Sequence, residues 1–313
     1  MTDPKTALVT GGAGFIGSHL VDRLLSLGYK VVVIDDLSHG KRQNLNPAAV
    51  FYHTDIAQVQ ADEVFQQQRP GLVFHLAAQI SVSRSTRDPV KDAEINTIGT
   101  LHLLEAARRH GVDKFIYSST GGALYGDPKT NPCTERSPIM PLSPYGLSKF
   151  LAEKYVELYY RLHHLNYTAL RYGNVYGPRQ DPDGEAGVVA IFSQAMLAGR
   201  PVQIFGDGSQ ERDFVYVGDV VESNICAIDA GGGSAFNIGT GKGIRVTDIF
   251  EALRSITQYK GDPVYRPART GDVYKIRLSY AKAARELGWS PRVGLEEGLR
   301  KTVEYFRAVK ANA

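Results

Sequence analysis

The sequence predicts an α/β protein, a Rossmann-type doubly wound parallel sheet with a smaller C-terminal α/β substrate lobe. Three observations lead to this fold class. Apolar, β-rich runs alternate with helical patterns through the first half of the chain, which is typical of a parallel sheet covered on both faces. A glycine-rich turn lies between the first strand and the first helix, and beyond Arg171 the segments become shorter and richer in proline and glycine.

The predicted strands of the first lobe are continuous apolar runs, which fit a sheet buried on both sides. Helical patterns separate them: one through SHLVDRLLSLG (18–28), a short one before Pro70, and a long one near Val90 to His110. The strands are TALVT (6–10), KVVVIDD (30–36), VFYHTD (50–55), LVFHLAA (72–78) and KFIYSS (114–119).

Two domains are expected. Residues 1–172 form a dinucleotide-binding domain and residues 173–313 a second, smaller lobe, beginning where Pro178 and Pro182 interrupt the regular alternation. Later segments near 213–238 again read as strand and helix pieces of the first domain. The chain is therefore expected to cross between the lobes more than once.

Composition narrows the classes of partner. Of the 313 residues, 43% are hydrophobic and 22% charged, and the net charge of +3 includes no long basic run, so nothing indicates a nucleic acid or a membrane as partner. Cys133 and Cys226 form no CxxC pattern, and the histidines form no HExxH motif, so no metal site is expected. The chain begins without a leader pattern, which together with the sparse cysteines predicts a cytoplasmic protein with a small-molecule ligand.

The turn TGGAGFIGSHL (10–20) has the glycine pattern of a dinucleotide site. Gly12, Gly14 and Gly17 match GxGxxG, in the strand-to-helix context in which backbone amides and a helix N-terminus meet a pyrophosphate. Asp35 ends the second strand at the distance where an acid binds the adenosine ribose and repels a 2′-phosphate, so NAD is favoured over NADP. Lys41 and Arg42 follow closely, and basic residues there can hold an additional phosphate.

A helix is predicted to start in PLSPYGLSKFLAEKY (141–155), with Ser143 as N-cap and Pro144 as first helical residue. Tyr145 and Lys149 lie one turn apart on one face of that helix. Such a pair also occurs by chance in ordinary amphipathic helices. An apolar stripe on another face is expected to be buried; it comprises Leu147, Leu151, Tyr155, Leu158 and Leu162.

Eight segments in order give the chain its resemblance to a known family. They are TGGAGFIG (10–17), HLAA (75–78), INTIGT (95–100), SSTGGALYG (118–126), the Tyr145/Lys149 pair, LRYGNVYGPRQ (170–180), ERDFVYV (211–217) and RTGDV (269–273). Together they resemble the extended short-chain dehydrogenase/reductase family and, within it, the UDP-glucose 4-epimerases, over essentially the whole length. The resemblance implies bound NAD, a UDP-sugar substrate and interconversion of UDP-hexoses through a 4-keto intermediate.

The resemblance also implies roles for individual residues. Tyr145 is the catalytic base, Lys149 its partner and Thr120 the third member of the triad. A phenol has a pKa near 10, so it needs a neighbouring cation to act as a base at neutral pH. The family further implies a homodimer, formed by the helices near Val90 to His110 and Tyr145 to His164.

The residues implied to hold the two ligands fall into two sets. The cofactor set comprises Gly11, Gly14, Phe15, Ile16, Gly17, Asp35, Asp36, Asp55, Ile56, Leu76, Ala77, Ala78, Asn96, Ser118, Tyr145, Lys149 and Tyr172. The substrate set comprises Thr120, Tyr145, Asn174, Val188, Val189, Gln203, Phe205, Arg212, Arg269 and Asp272.

Alternatives to this assignment stay open. A nucleotide-sugar 4,6-dehydratase or decarboxylase begins with the same oxidation, but family dehydratases carry an aspartate–glutamate pair where this chain has Gly121 and Gly122. A non-enzymatic NAD-binding sensor is disfavoured by the intact triad. A glucuronate substrate is disfavoured by Asp181, because related glucuronate epimerases have an arginine there. Ile276, at a position that is tyrosine in strict enzymes, leaves UDP-N-acetylglucosamine open.

Overall fold

The fold follows the predicted alternation of strands and helices, and the computed structural model describes residues 5–182, 187–268 and 273–311. The strands of the first half are β1 (Thr6–Thr10), β2 (Lys30–Asp35), β3 (Val50–His53), β4 (Leu72–His75), β5 (Lys114–Thr120) and β6 (Tyr167–Tyr172). Those of the second half are β7 (Asn174–Tyr176), β8 (Gln203–Phe205), β9 (Glu211–Arg212), β10 (Phe214–Tyr216), β11 (Ser234–Ile238), β12 (Ile244–Arg245) and β13 (Val264–Arg266).

The helices alternate with these strands. The first half contains α1 (Phe15–Ser26), α2 (Val59–Gln68), α3 (Val82–Arg87), α4 (Pro89–Ala93), α5 (Gly99–Arg109), α6 (Gly121–Leu124) and α7 (Pro144–His163). The second half contains α8 (Val188–Leu197), α9 (Val217–Asp229), α10 (Val246–Thr257), α11 (Ala281–Glu286) and α12 (Leu295–Ala311). A π-helical turn over Glu94–Ile98 joins α4 to α5, and a 3₁₀ turn occupies Arg42–Asn44.

A parallel seven-stranded sheet forms the centre of the first lobe. The strands lie in the order β11-β6-β5-β4-β1-β2-β3. From β1 the chain adds strands first on one side and then on the other, as in a dinucleotide-binding fold. The pairing of β11 with β6 brings Ser234–Ile238 back to this sheet from late in the chain. The predicted fold class, a doubly wound parallel sheet, is confirmed. The carboxyl ends of β1, β4 and β5 lie side by side at the edge where ligands bind in such sheets.

Helices cover both faces of the sheet, and each face has its own apolar core. On one face, α1 and α9 bury Leu20, Leu24 and Val220 against the strands. On the other face, α2, α5 and α7 bury side chains such as Phe65 and Leu103. The strands are therefore apolar on both sides, which is why they read as continuous hydrophobic runs.

The second lobe has a separate core built from α8, α10 and α12, which includes Val189, Phe192 and Phe250. A smaller apolar cluster lies under the loop after β5 and contains Leu124, Ile276 and Leu278. Three two-stranded sheets complete this half: β10 with β7, β12 with β9, and β13 with β8.

The start of α7 is as predicted, but its apolar stripe is not. The Ser143 hydroxyl accepts a hydrogen bond from the Gly146 N–H at 3.2 Å, and Pro144 is the first helical residue. The buried face of α7 instead carries small and polar residues, among them Ser148, Lys149, Ala152 and Glu153. The stripe is exposed in the single chain, at 48% for Leu147, 43% for Leu151, 37% for Tyr155, 41% for Leu158 and 61% for Leu162.

Within residues 5–182, 187–268 and 273–311, none of the helices has the length and apolar character needed to cross a membrane. The same residues contain no cluster of three or more histidine, cysteine or carboxylate side chains suited to a metal ion.

A buried ion pair ties α7 to β6 and generates a stability prediction. The guanidinium of Arg171 donates through Nε to both carboxylate oxygens of Glu153, at 3.2 and 3.1 Å, and both side chains are 5% exposed. We expect Arg171→Met to lower the free energy of unfolding by about 3–5 kcal/mol, because it leaves the Glu153 charge buried and unpaired. Urea denaturation followed by circular dichroism measures this.

The matched control is Arg300→Met, which removes an exposed pair with Glu296 one turn away on α12. We expect this change to cost less than about 1 kcal/mol. Equal losses for the two variants would contradict the assignment of a structural role to the buried pair.

Candidate active site and cofactor cleft

The turn between β1 and α1 has a shape that only glycine allows. Gly11 has a φ of +71°, and a Cβ at this position would lie 2.8 Å from the backbone nitrogen of Ala77. A Cβ on Gly17 would collide with the carbonyl oxygen of Gly11. The turn therefore packs against the loop after β4 and against itself, leaving the backbone of the helix start accessible to a ligand.

The N-terminus of α1 is suited to an anion. Gly14 is its N-cap, so no side chain caps the helix, and no acidic residue lies in its first turn. Phe15, Ile16 and Gly17 are the first helical residues, whose N–H groups have no intrahelical acceptor. The helix dipole and these amides together favour a pyrophosphate at this point.

Asp35 lies beside the glycine turn at the end of β2. Its carboxylate accepts from the N–H of Ala13 at 2.9 Å and from the N–H of Leu37 at 2.8 Å, and burial raises its pKa while both hydrogen bonds oppose the shift. Asp36 points elsewhere and accepts from the backbone and hydroxyl of Ser38. The backbone therefore fixes the Asp35 carboxylate at the end of β2, and its contact with the cofactor ribose stays a prediction.

A chain of hydrogen bonds fixes the loop after β4. The Thr10 hydroxyl accepts from the N–H groups of Leu76 and Ala77 at 3.2 Å, so its own proton is directed to His75 Nδ1, 2.8 Å away. His75 Nε2 then faces the Thr100 hydroxyl at 2.9 Å. Burial lowers the pKa of His75 well below its usual value. A neutral histidine therefore holds Leu76 and Ala77, with Ala78 following, against the glycine turn.

A second buried network of hydrogen bonds lies beside α7. Asn96 donates to the carbonyl oxygen of Gln79 and to the Asp92 carboxylate, and Ser148 of α7 donates to the same carboxylate at 2.5 Å. Both amide hydrogens of Asn96 thus have acceptors inside the protein. This arrangement gives Asn96 a role in joining the π-helical turn to α7; a direct cofactor contact remains only a prediction.

The three predicted catalytic residues come together at the carboxyl edge of β5. Thr120 ends β5; its hydroxyl accepts from the Ala123 N–H at 3.2 Å and acts to lower the pKa of the Tyr145 phenol. Lys149 lies one helical turn beyond Tyr145 and is 3% exposed. Its ammonium nitrogen lies 4.4 Å from the centre of the Tyr117 ring, whose hydroxyl donates to the Lys149 carbonyl oxygen.

Lys149 is a buried cation without a hydrogen bond or ion pair among the described residues. Burial lowers its pKa to about 7, although the carboxylates of Glu153 and Asp92 act in the opposite direction. Burial also raises the pKa of Tyr145 to about 12, which the Thr120 hydroxyl partly offsets. Burial therefore disfavours the charged form of each group, and an opposite charge nearby is the kind of interaction that offsets this cost.

The substrate residues are less closely grouped. A Cβ placed on Gly122 would lie 3.4 Å from Asn174 Oδ1 and 4.0 Å from Thr120 Oγ1, so Asn174 faces Thr120 across a glycine. Arg212 donates to the carbonyl oxygens of Glu211 and Tyr274.

Four more predicted substrate residues lie in the second lobe. Val188 and Val189 begin α8, with Val189 fully buried in its core, while Gln203 and Phe205 lie on β8. Arg269 and Asp272 fall outside the described residues.

Several remaining cofactor predictions have internal partners. Ser118 and Tyr172 are hydrogen-bonded to each other at 3.1 Å inside the core, and Tyr172 also contacts Asn224. Asp55 accepts from the N–H of Ala57, and Ile56 is packed in the core at 5% exposed. These side chains support the cleft, and their role as direct ligands stays a prediction.

Three residues around Tyr145 and Lys149 were not predicted from the sequence: Tyr117, Asp92 and Glu153. Glu153 follows Lys149 by four residues on the same helix face, a spacing that could have identified it. It also accepts from the Ser119 hydroxyl at 2.7 Å, next to Thr120. Asp92 and Tyr117 reach Lys149 only through the tertiary fold, so no local signal marks them.

The residues present fit NAD. The glycine turn leaves room that a Cβ would fill, and no side chain caps the N-terminus of α1. Asp35 lies at the end of β2, where an acid is expected to meet the ribose, and the Lys149 ammonium is buried without an ionic partner among the described residues. A dinucleotide laid along this edge would offer a pyrophosphate to the helix and ribose hydroxyls to both charged side chains.

Comparison with known proteins agrees with this geometry. The NAD dependent epimerase/dehydratase family matches residues 7–239. A UDP-glucose 4-epimerase of Mycolicibacterium smegmatis is 48% identical over 306 residues, covering 96% of this chain and 98% of the relative.

Two solved structures are also similar. The UDP-glucose 4-epimerase of Thermotoga maritima with UDP-glucose is 54% identical with a TM-score of 0.96, covering 97% of this chain and 99% of that one. The Thermus thermophilus UDP-glucose 4-epimerase in complex with NAD is 44% identical with a TM-score of 0.92, covering 96% and 99%. With the glycine turn, the Asp35 position and the Thr120–Tyr145–Lys149 cluster in place, this chain belongs to the NAD dependent epimerase/dehydratase family.

Proposed function

We propose that the protein is a UDP-glucose 4-epimerase, which interconverts UDP-glucose and UDP-galactose. The observation that carries the proposal is the cluster of Thr120, Tyr145 and Lys149 at the end of β5, next to a cleft that fits NAD. High identity to enzymes named UDP-glucose 4-epimerase supports the sugar nucleotide.

Tyr145 is assigned the proton transfer at the 4-hydroxyl of the sugar. Bound NAD supplies a hydride acceptor that later returns the hydride to the opposite face of the sugar. The Tyr145 oxygen takes the 4-hydroxyl proton while the hydride leaves the sugar. It gives the proton back to the oxygen of the 4-keto sugar when the hydride returns. Thr120, whose hydroxyl acts to lower the pKa of the same phenol, is assigned a contact with the reacting oxygen.

Lys149 is assigned the stabilisation of the Tyr145 anion. Its ammonium lies against the Tyr117 ring, and burial lowers its pKa to about 7, a shift that the Glu153 and Asp92 carboxylates oppose. A positive charge one helical turn away lowers the cost of removing the phenolic proton, because the charge is poorly screened in a buried site.

The second lobe is assigned the binding of the UDP group of the substrate. Inversion requires that the keto sugar turn over while the UDP group stays in place. Arg212 lies on β9 and Asn174 on β7, and the Asn174 N–H donates to the carbonyl oxygen of Asp213, the residue after Arg212, at 2.7 Å. The fork of an arginine suits a diphosphate. Arg269 and Asp272, from the resemblance, complete the proposed site for the diphosphate and uridine.

The space around Gly121 disfavours a dehydratase. A Cβ on Gly121 would collide with Cδ1 of Leu278 and lie 3.1 Å from the backbone oxygen of Arg171. An acid–base side chain at this position would therefore have to displace a packed leucine. With glycines at 121 and 122, the chain lacks the carboxylates that would move the proton for loss of water.

The preferred sugar is a neutral hexose. Lys41 Nζ pairs with Asp181 at 3.0 Å, so this lysine is already engaged by a carboxylate. Position 181 therefore gives no support to a uronate substrate. Ile276 is 1% exposed and packed with Leu278, so it presents little side chain to a bulky N-acetyl group. Activity on UDP-N-acetylglucosamine remains the second candidate. A cytoplasmic location also remains a proposal from the sequence.

The exposed stripe of α7 supports a homodimer. Leu151 and Leu158 are more than two-fifths exposed, and α5 packs beside α7 through a 2.6 Å hydrogen bond from Tyr159 to Glu105. Pairing of these helices with those of a second copy forms a four-helix bundle that covers the stripe.

A direct assay tests the function. Wild-type protein is expected to convert UDP-galactose to UDP-glucose without net NADH, at a higher kcat/KM than its action on UDP-N-acetylglucosamine or UDP-glucuronate. Tyr145→Phe is expected to lower kcat by about 10²- to 10⁴-fold, because it removes the base and little volume. Tyr155→Phe, on an exposed part of the same helix, is the matched control and should keep near wild-type activity.

Any of three results would count against this proposal. One is a Tyr145→Phe variant that keeps more than about a tenth of the wild-type rate. The others are a highest kcat/KM for UDP-glucuronate and a keto-deoxy sugar as product.

The dimer proposal predicts a change of mass in solution. The double variant Leu151→Glu/Leu158→Glu should sediment as a monomer of 34.3 kDa, because two buried carboxylates per chain would lie in the bundle. Wild type should sediment at twice that mass. Val59→Glu, at a 75% exposed apolar position on α2, is the control and should stay dimeric. A monomeric wild type at micromolar concentration would refute the interface.

A further inference from the structure

A segment of the second lobe makes three contacts with the first. The carbonyl oxygen of Pro178 lies 2.9 Å from His19 Nε2, and Arg179 Nη1 donates to Asp22 Oδ2 at 2.8 Å, both on α1. Two residues later, Asp181 Oδ1 accepts from Lys41 Nζ at 3.0 Å. The segment therefore lies along α1 and ends on the loop that follows β2.

Lys41 is anchored next to the acid of the ribose position. Its N–H donates to the Ala13 carbonyl oxygen at 3.0 Å, and the Ala13 N–H donates to Asp35 at 2.9 Å. The preceding residue, Gly40, is so close to this acid that a Cβ would lie 2.6 Å from Asp35 Oδ1. Ala13 thus links the two residues, because its carbonyl oxygen accepts from Lys41 and its N–H donates to Asp35.

A basic side chain in this place has a known chemical consequence. In dinucleotide folds an acid at the end of the second strand binds the ribose 2′-hydroxyl, whereas a nearby cation accommodates a 2′-phosphate. Of the two cations here, Arg42 has its guanidinium 5.5 Å from the centre of the Phe51 ring. Lys41 is the one whose ammonium is held by a carboxylate from the other lobe.

We propose that Asp181 is a cofactor-selectivity residue, which favours NAD over NADP by engaging the Lys41 ammonium. The inference rests on the NAD site of the proposed function and extends it to a residue 140 positions away from Lys41 in the chain. Asp35 disfavours the 2′-phosphate by direct repulsion. Asp181 engages Lys41, one of the two nearby cations that could compensate for it, and adds a second negative charge on the same side.

The expected size of the change in NADP:NAD selectivity follows from the exposure of the two paired side chains. The side chains of Lys41 and Asp181 are 46% and 35% exposed, so the pair is solvated and weak. Freeing the lysine is therefore expected to change selectivity by about threefold to tenfold, with Asp35 still in place. For the same reason, removing the pair should leave the fold intact.

The test compares bound nucleotides and needs no sugar substrate. Purified holoenzyme is incubated with equal, excess NAD and NADP until labelled NAD has exchanged completely. Free nucleotide is removed by gel filtration, and the bound nucleotides are released by denaturation and quantified. Asp181→Asn should raise the bound NADP:NAD ratio about threefold to tenfold over wild type, and Asp181→Ala should do the same.

Two comparisons separate this mechanism from a general loss of negative charge. Adding Lys41→Ala to Asp181→Asn should return the ratio to within about twofold of wild type, because the freed cation is gone. Asp22→Asn, which breaks the neighbouring contact with Arg179, should leave the ratio within about twofold. A ratio unchanged in both Asp181 variants, or a gain that persists without Lys41, would overturn the proposal. Either result can be obtained whether or not the protein epimerises UDP-glucose.

Discussion

The candidate site depends on one constraint, a lysine ammonium held in the protein interior one helical turn from a tyrosine. Lys149 is buried, its ammonium faces the ring of Tyr117, and burial lowers its pKa to about 7. Tyr145 is shifted in the opposite direction, to a pKa of about 12. A buried charge on either group is unfavourable when the other group is neutral. Loss of the phenolic proton is therefore favoured only while Lys149 keeps its proton.

The rest of the fold serves to hold this pair at the carboxyl edge of the sheet. The Ser143 cap fixes where α7 begins, and Asp92 and Glu153 supply the buried negative charges that oppose the loss of the lysine proton. Glu153 is itself held by Arg171 and Ser119, which connects α7 to the two strands that flank the site. The geometry of the catalytic pair is therefore tied to a polar network that also contributes to stability.

The sequence predicted the parts of this arrangement that are local. The glycine turn, Asp35 at the end of β2, and the Ser143–Pro144 start of α7 each depend on a few consecutive residues, and their chemistry is readable in the sequence. The stripe through Leu151 and Leu158 was predicted to be buried, but periodicity shows only that a helix has an apolar face, and it does not show what covers that face.

The parts that could not be predicted join residues far apart in the chain. Leu278 excludes a side chain at position 121, Asp92 approaches the catalytic helix through Ser148, and Asp181 reaches Lys41 from the other lobe. In each case the partner lies more than 50 residues away, and no local pattern encodes the contact. Tyr117 and Lys149 are 32 residues apart, and their contact likewise arises only when β5 and α7 pack together.

The central claim is that Lys149 makes Tyr145 a base near neutral pH, and the pH dependence of kcat/KM in Lys149→Met tests it most directly. With NAD bound to saturation, verified by nucleotide release, the variant should gain about tenfold in kcat/KM for each pH unit between 7 and 9.5, because its phenol titrates only far above this range. Wild type should level off over the same interval, and Lys149→Arg should recover part of that plateau. A Lys149→Met profile parallel to that of wild type would contradict the account.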